Sequence, residues 1–247
     1  MKTFLILVSS VFAASSTLSA PVIFQSPETP ATLIELYSSE GCSSCPPAEA
    51  WVSVLKNRPD LWTGVVPVVF HVDYWDNLGW PDRFASHAFS ERQRRYANAW
   101  ATNSVYTPGF VVNGGEWRGW FDHGGLPAQG TNRVGKLRVT LRDAAHVDIA
   151  FTPAGTPPKS AVVEVALLGN ALASDVKRGE NSGHRLVHDF VVLHLSSASL
   201  ASDGNRLSAT LALPEKSAAT PTALAAWVRA GGSQAPIQAT GGWLGKE

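Results

Sequence analysis

Two cysteines occur in the 247-residue chain, Cys42 and Cys45, and they share one motif, Gly41-Cys42-Ser43-Ser44-Cys45-Pro46-Pro47. Two thiols spaced by two residues can close a small disulfide ring and open it again, and a helix start beside them favours the attacking thiolate. Pro46 and Pro47 fit only the first turn of a helix, where a missing N–H leaves no bond unmade. Cys45 then lies inside that turn and Cys42 at its open end. A free thiol titrates at about 8.5. A helix N-terminus stabilises an anion by about 0.3–1 kcal/mol, up to about 2, and one pKa unit is about 1.36 kcal/mol. The dipole alone therefore lowers Cys42 by about one unit. Hydroxyls of Ser43 and Ser44, or nearby amides, would add to this, and Glu40 would oppose it. No Lys, Arg or His stands between Ser38 and Lys56. The expectation is a moderately activated thiol, with a pKa not below about 5.

The flanking residues define the elements that must hold this pair. Leu33 to Tyr37 reads as a strand, Cys45 to about Asn57 as a helix, and the apolar run Val65 to Val72 as a strand buried on both faces. Together they make a βαβ unit with parallel strands and a right-handed crossover. Ligand crevices form at the carboxyl ends of such strands. Ser38 to Cys45 follows the first strand, and His71 to Asp76 follows the second. Phe84, Ala88, Arg92, Tyr96 and Trp100 recur every four residues and predict a helix over about Asp82 to Trp100. Gly109 to Val112 predicts a short strand, Asn113-Gly114 a hairpin turn and Trp117 to Phe121 the returning strand. The strand from Gly109 runs antiparallel to the first two, so its start, Thr107-Pro108, reaches the same edge. A proline suits that position because it has no N–H to give a ladder.

Beyond an irregular, Gly- and Pro-rich stretch from Asp122 to Arg133, the periodicity changes to two. Leu137, Val139 and Leu141 alternate with polar neighbours, as do Val147, Ile149 and Phe151. Val162 to Leu168, Leu186 to Leu195, Leu207 to Leu213 and Leu224 to Val228 continue the pattern. This half reads as all-β, a small sandwich. At the other end, Lys2, the apolar run Phe4 to Ala14 and Leu18-Ser19-Ala20, which ends in small residues, read as a secretory signal over residues 1–20. No later stretch is long enough for a transmembrane helix. A secreted or periplasmic protein is expected, in a compartment where disulfides persist. The chain carries 20 basic and 20 acidic residues, so no charge bias points to nucleic acid or an anionic membrane.

The chain resembles a family of secreted thioredoxin-like proteins of unknown function, within the thioredoxin superfamily. The resemblance rests on Glu35 to Ala48 (ELYSSEGCSSCPPA), His71 to Trp80 (HVDYWDNLGW), Arg92-Gln93 with Tyr96, Thr107 to Gly114 (TPGFVVNG) and Gly179 to Asp189 (GENSGHRLVHD). It implies an α/β thioredoxin-like domain over residues 21–133, followed by the all-β sandwich-like C-terminal domain over 134–247. It also implies a cis Pro108 facing the cysteines, Cys42 as nucleophile and Cys45 as resolving thiol. Glu35 would be the buried carboxylate that takes a proton from the resolving cysteine, or else a carboxylate at an exposed strand edge. His71 would assist proton transfer or hydrogen-bond Asp73. Partners would be protein thiols or disulfides, and no cofactor is implied.

Two alternatives stand beside the redox reading. Two thiolates with His71 would suit a soft cation such as Cu(I), although a structural zinc site needs four ligands and only one cysteine pair exists. Otherwise the disulfide is an inert staple beside a binding module, though so short a loop restrains the unfolded chain little. Tyr74, Trp75 and Trp80 could line a groove or fill the core. Arg92, Arg94 and Arg95 read as a solvated helix face, and His184, Arg185 and His188 as an exposed strand face.

Overall fold

The computed structural model describes residues 21–102, 104–214 and 217–245; the expected signal segment, 1–20, lies outside them. The expected βαβ unit is present as β2 (Thr32–Ser38), α1 (Cys45–Val54) and β3 (Val65–His71). β2 and β3 are parallel, with Ser38 beside His71, and every residue of both strands is buried. Alternation along β2 gives its two faces different tasks. The Ser38 hydroxyl meets Glu49 on α1. Glu35 and Tyr37, on the other face, meet Tyr96 of α2 (His87–Ala99). α1 and α2 thus cover opposite faces of one sheet. β4 (Gly109–Val112) pairs antiparallel with β2 from Tyr37↔Gly109 onward, so the chain just before Gly109 arrives at the carboxyl edge of β2.

The fold class departs from the expected α/β thioredoxin-like domain followed by a separate all-β unit. Among the described residues the protein is mostly β, 41% strand against 13% helix, with two α-helices. The physical reason lies at the far edge of β3. That edge is not left open: β11 (Val191–Ser199) docks on it in parallel, Val191 against Val69. β8 (Ala161–Gly169), β14 (Ala223–Ala230) and β15 (Pro236–Trp243) extend the sheet beyond β11. At the opposite edge β5 (Gly115–Glu116) follows β4. The result is an eight-stranded sheet, β15-β14-β8-β11-β3-β2-β4-β5, that takes strands from both sides of residue 133.

A second sheet, β1-β6-β7-β13-β12, packs against the outer part of the first. Its strands are β1 (Val22–Gln25), β6 (Gly135–Leu141), β7 (His146–Pro153), β12 (Ala201–Asp203) and β13 (Arg206–Ala212). Leu137, Val139, Ile149 and Phe151 of this sheet share a core with Val163, Val165, Leu224 and Val228 of the larger one. The period-two alternation is thus visible as a buried face and a wet face.

Three local expectations also change. The helix predicted from Asp82 begins at His87, because Ser86 is its N-cap and accepts from the Ala88 N–H at 3.3 Å; such a cap residue stands outside the helix. The returning strand expected over 117–121 is only Gly115–Glu116. The strand expected over 186–195 is broken at Phe190, whose φ of 57° lies in the left-handed region. The break gives β10 (Arg185–His188), paired with β9 (Leu172–Asp175), and then β11. Between 122 and 133 there is neither helix nor strand.

Candidate functional site

α1 starts at Cys45, with prolines in its first turn and no side-chain cap from Ser44. Two prolines remove two of the amides that a helix start usually offers, and the Ser43 N–H is taken by the Glu180 carboxylate at 2.9 Å. The Cys42 sulfur therefore draws chiefly on side-chain donors, with the Ser44 amide a smaller contributor. It lies 3.3 Å from Ser44 Oγ. Hydrogen bonding from Cys45, ahead of that from Ser44 and Thr107, draws the Cys42 pKa down to about 6, against the opposing effect of burial. This exceeds the single unit expected of the helix dipole and stays above 5. Burial pushes the Cys45 thiol well above the ordinary range, helped by its neighbour Cys42. Both thiols are free. The two sulfurs are thus split into one easily ionised and one held protonated.

Thr107 was expected at this edge but with no role of its own. Its hydroxyl serves both thiols, and it accepts from the Trp75 indole at 2.8 Å. The Thr107–Pro108 peptide is cis, so Pro108 stands beside the residue that touches both sulfurs. Trp75 also closes over Gly41, where an added Cβ would stand 3.0 Å from the Trp75 Cβ and press on it. Tyr74 donates to Gln93 at 3.0 Å, and Trp80 to Glu40 at 2.6 Å. These aromatics position polar groups.

Glu35 is fully buried but stands on the sheet face away from α1. It accepts from Arg92 Nε at 2.8 Å, from Tyr37 at 3.0 Å and from Tyr96 at 2.5 Å. Arg92 continues to Glu164 at 2.9 Å, which also accepts from Trp227 at 2.6 Å. Arg92 is therefore no part of a solvated face: it is 2% exposed and joins the two halves of the large sheet. Arg95 alone of the three arginines is exposed, with Arg94 half-buried.

The groups closest behind the thiols are others. Ser38, whose hydroxyl lies within reach of Cys45, donates to Glu49. Glu49 also meets His188 Nδ1 and stands 3.9 Å from His71 Nε2. His71 Nδ1 lies 2.6 Å from Asp82, and His188 Nε2 lies 3.2 Å from Glu40. His71 thus faces Asp82 and Glu49, in place of the Asp73 expected from sequence. His188 is buried where an exposed strand face was expected, while His184 and Arg185 are exposed. Burial alone would lower the His188 pKa; the Glu49 charge and the bonds to Glu40 and Glu49 overcome it and raise His188 to about 10. Asp82, opposed by burial, is drawn down to about 2 by His71 and by the amides of Glu40 and Phe84. Glu49 lies four residues after Cys45, on the same helix face, and that spacing was the signal available for it. A surface cleft of about 620 Å³ lies elsewhere, against Gln25, Glu28, Arg133 and Arg206, and is lined by neither cysteine.

Site and fold together describe a mostly β protein that carries a buried dithiol at the start of one helix, braced by residues from distant strands. The family described as a protein of unknown function, DUF1223, matches residues 33–229, and the chain belongs to that family. The match brings with it no activity and no assignment to the thioredoxin superfamily. No curated protein matches the chain. Among solved structures, a structural-genomics protein from Agrobacterium tumefaciens is similar at 24% identity and a TM-score of 0.60, over 90% of this chain and 97% of that one. HBP35 of Porphyromonas gingivalis is similar at 14% identity and a TM-score of 0.51, over 87% of this chain and 76% of that one. At these identities the likeness is one of fold alone. No described helix is long and apolar enough to cross a membrane.

Proposed function

We propose that Cys42 and Cys45 are a dithiol–disulfide couple that exchanges with cysteines of client proteins, in the secreted or periplasmic setting that residues 1–20 suggest. The observation that carries this reading is the placement of two free thiols, Cys42 just ahead of α1 with Ser44 Oγ at 3.3 Å and Cys45 buried in its first turn; hydrogen bonding draws Cys42 down to about 6 and burial pushes Cys45 up. At neutral pH Cys42 is then mainly thiolate, the nucleophilic form.

In the reducing direction the Cys42 thiolate attacks one sulfur of a client disulfide. A Cys42–client bond forms, the client S–S bond breaks, and the other client sulfur leaves as a thiolate. The Cys45 thiol gives up its proton to that thiolate, attacks Cys42 Sγ and releases the second client sulfur. The client gains two electrons and the protein is left with a Cys42–Cys45 disulfide. The reverse sequence oxidises a client dithiol.

Insulin reduction and oxidative refolding of a reduced test protein check the two directions with purified protein. Turnover in at least one, abolished in Cys42→Ser, is the expected result. No Cys42-dependent turnover in either would sink the reading.

A further inference from the structure

We infer that His71, His188 and Glu49 form a binding site for one divalent transition-metal ion, with Zn²⁺ the simplest probe. The site is separate from the cysteines and does not depend on the redox reading. One donor atom from each of the three residues lies within 4.8 Å of the other two, and all three residues are buried.

The supporting shell points the same way. A histidine that ligates a metal usually donates its other ring N–H to a carboxylate, which fixes the ring and leaves the ligating nitrogen free. His71 has that arrangement, and His188 approaches it. His71 Nδ1 faces Asp82 at 2.6 Å, which turns Nε2 toward Glu49. His188 Nδ1 meets the same carboxylate, and its Nε2, 3.2 Å from Glu40, is left without a well-formed hydrogen bond, as His71 Nε2 is. The outer carboxylates are themselves held: Asp82 accepts from the Glu40 N–H at 2.9 Å, and Glu40 from the Trp80 indole. Ser38 steadies Glu49.

An independent sign is that His71 Nε2 is fully buried and has no hydrogen-bond partner, though it is aimed at Glu49 across 3.9 Å. A buried polar atom left in this way is unusual and calls for a cause, and an ion between these donors supplies one. Two imidazoles and a carboxylate suit Zn²⁺ and its first-row neighbours and disfavour Cu(I), which prefers sulfur. A cleft of about 200 Å³ between α1 and β10 is lined by Glu49 and His188 and lies on the solvent side of the cluster.

The test separates this site from the thiols. A Cys42→Ser/Cys45→Ser protein, stripped with chelator and titrated with Zn²⁺ by calorimetry, is expected to bind one equivalent. Its Co²⁺ form should show visible bands of a nitrogen–oxygen ligand set without thiolate charge transfer. Asp82→Asn, which touches only the outer shell, should weaken Zn²⁺ by about tenfold or more, and His71→Gln should abolish stoichiometric binding. If the serine variant fails to fold, the native chain oxidised to its disulfide serves for the same titration. Absence of a stoichiometric site in the thiol-free or oxidised protein, or binding unchanged by His71→Gln, would overturn the inference.

Discussion

The Asn181 side-chain amide donates to the backbone carbonyl of Cys42 at 3.0 Å, although the two residues lie 139 apart in sequence. The same nitrogen reaches the Glu40 carbonyl at 2.9 Å, and neighbouring Glu180 holds the Ser43 N–H. Gly179 and Gly183, at φ 78° and 84°, turn the chain on either side, a conformation that glycine adopts without steric penalty. A segment from the C-terminal half thus clasps the thiol loop, and Cys42 has no exposed surface. A bulky reagent can reach Cys42 only when some part of its surroundings moves, and this clasp is one such part.

Loosening the clasp should therefore expose the nucleophile. Asn181→Ala removes two hydrogen bonds, each contributing about 1 kcal/mol. Alkylation of reduced Cys42 at fixed pH should quicken by about tenfold. An unchanged rate would mean that residues 179–183 do not control access.

The thiols should titrate far apart. Thiolate absorbance of the reduced protein should rise with pH through a first midpoint near 6, with the second well above the ordinary thiol range. Cys45 is the largest influence lowering Cys42, so Cys45→Ala should move the first midpoint upward. Thr107→Val should move it upward by less. A first midpoint that stays put in both variants contradicts this account of the activation.

Arg92 should be a keystone of stability. Removing one partner of a buried ion pair typically costs about 3–5 kcal/mol, because the opposite charge is left uncompensated. Arg92→Met strands both Glu35 and Glu164, so urea unfolding should show a loss of that size. A loss under about 1 kcal/mol would show that the pairs are not formed.

Glu35 should matter for folding and not for the thiols. Its partners, Arg92, Tyr37 and Tyr96, lie on the sheet face opposite α1. Glu35→Gln should lower the unfolding midpoint while leaving the first thiolate midpoint where it is. A shifted thiolate midpoint would restore Glu35 to the proton chemistry.

Much of the site's frame was legible in the sequence. The apolar run Val65 to Val72 and the strand before Cys42 required a parallel pair, and that pair brings Ser38 beside His71. The position of Thr107-Pro108 followed from the strand that begins at Gly109. The parts that stayed hidden depend on long-range pairing. Nothing near β3 announces that β11 docks on its edge, and this one event turns an expected separate α/β unit into a shared sheet. His188 alternates with exposed neighbours along β10 and becomes a buried partner of Glu49 only through a contact 139 residues away. Arg92 has the look of a solvated helix charge until Glu164 is brought to it by the same shared sheet.

The central claim, that Cys42 exchanges with client cysteines and Cys45 resolves the adduct, is tested most directly by trapping. With Cys45→Ala expressed in the native host, the account predicts defined protein adducts on Cys42 that disappear on reduction and are absent from Cys42→Ser/Cys45→Ala. A Cys45→Ala protein that accumulates no reducible adduct, while its Cys42 remains alkylatable, would contradict it.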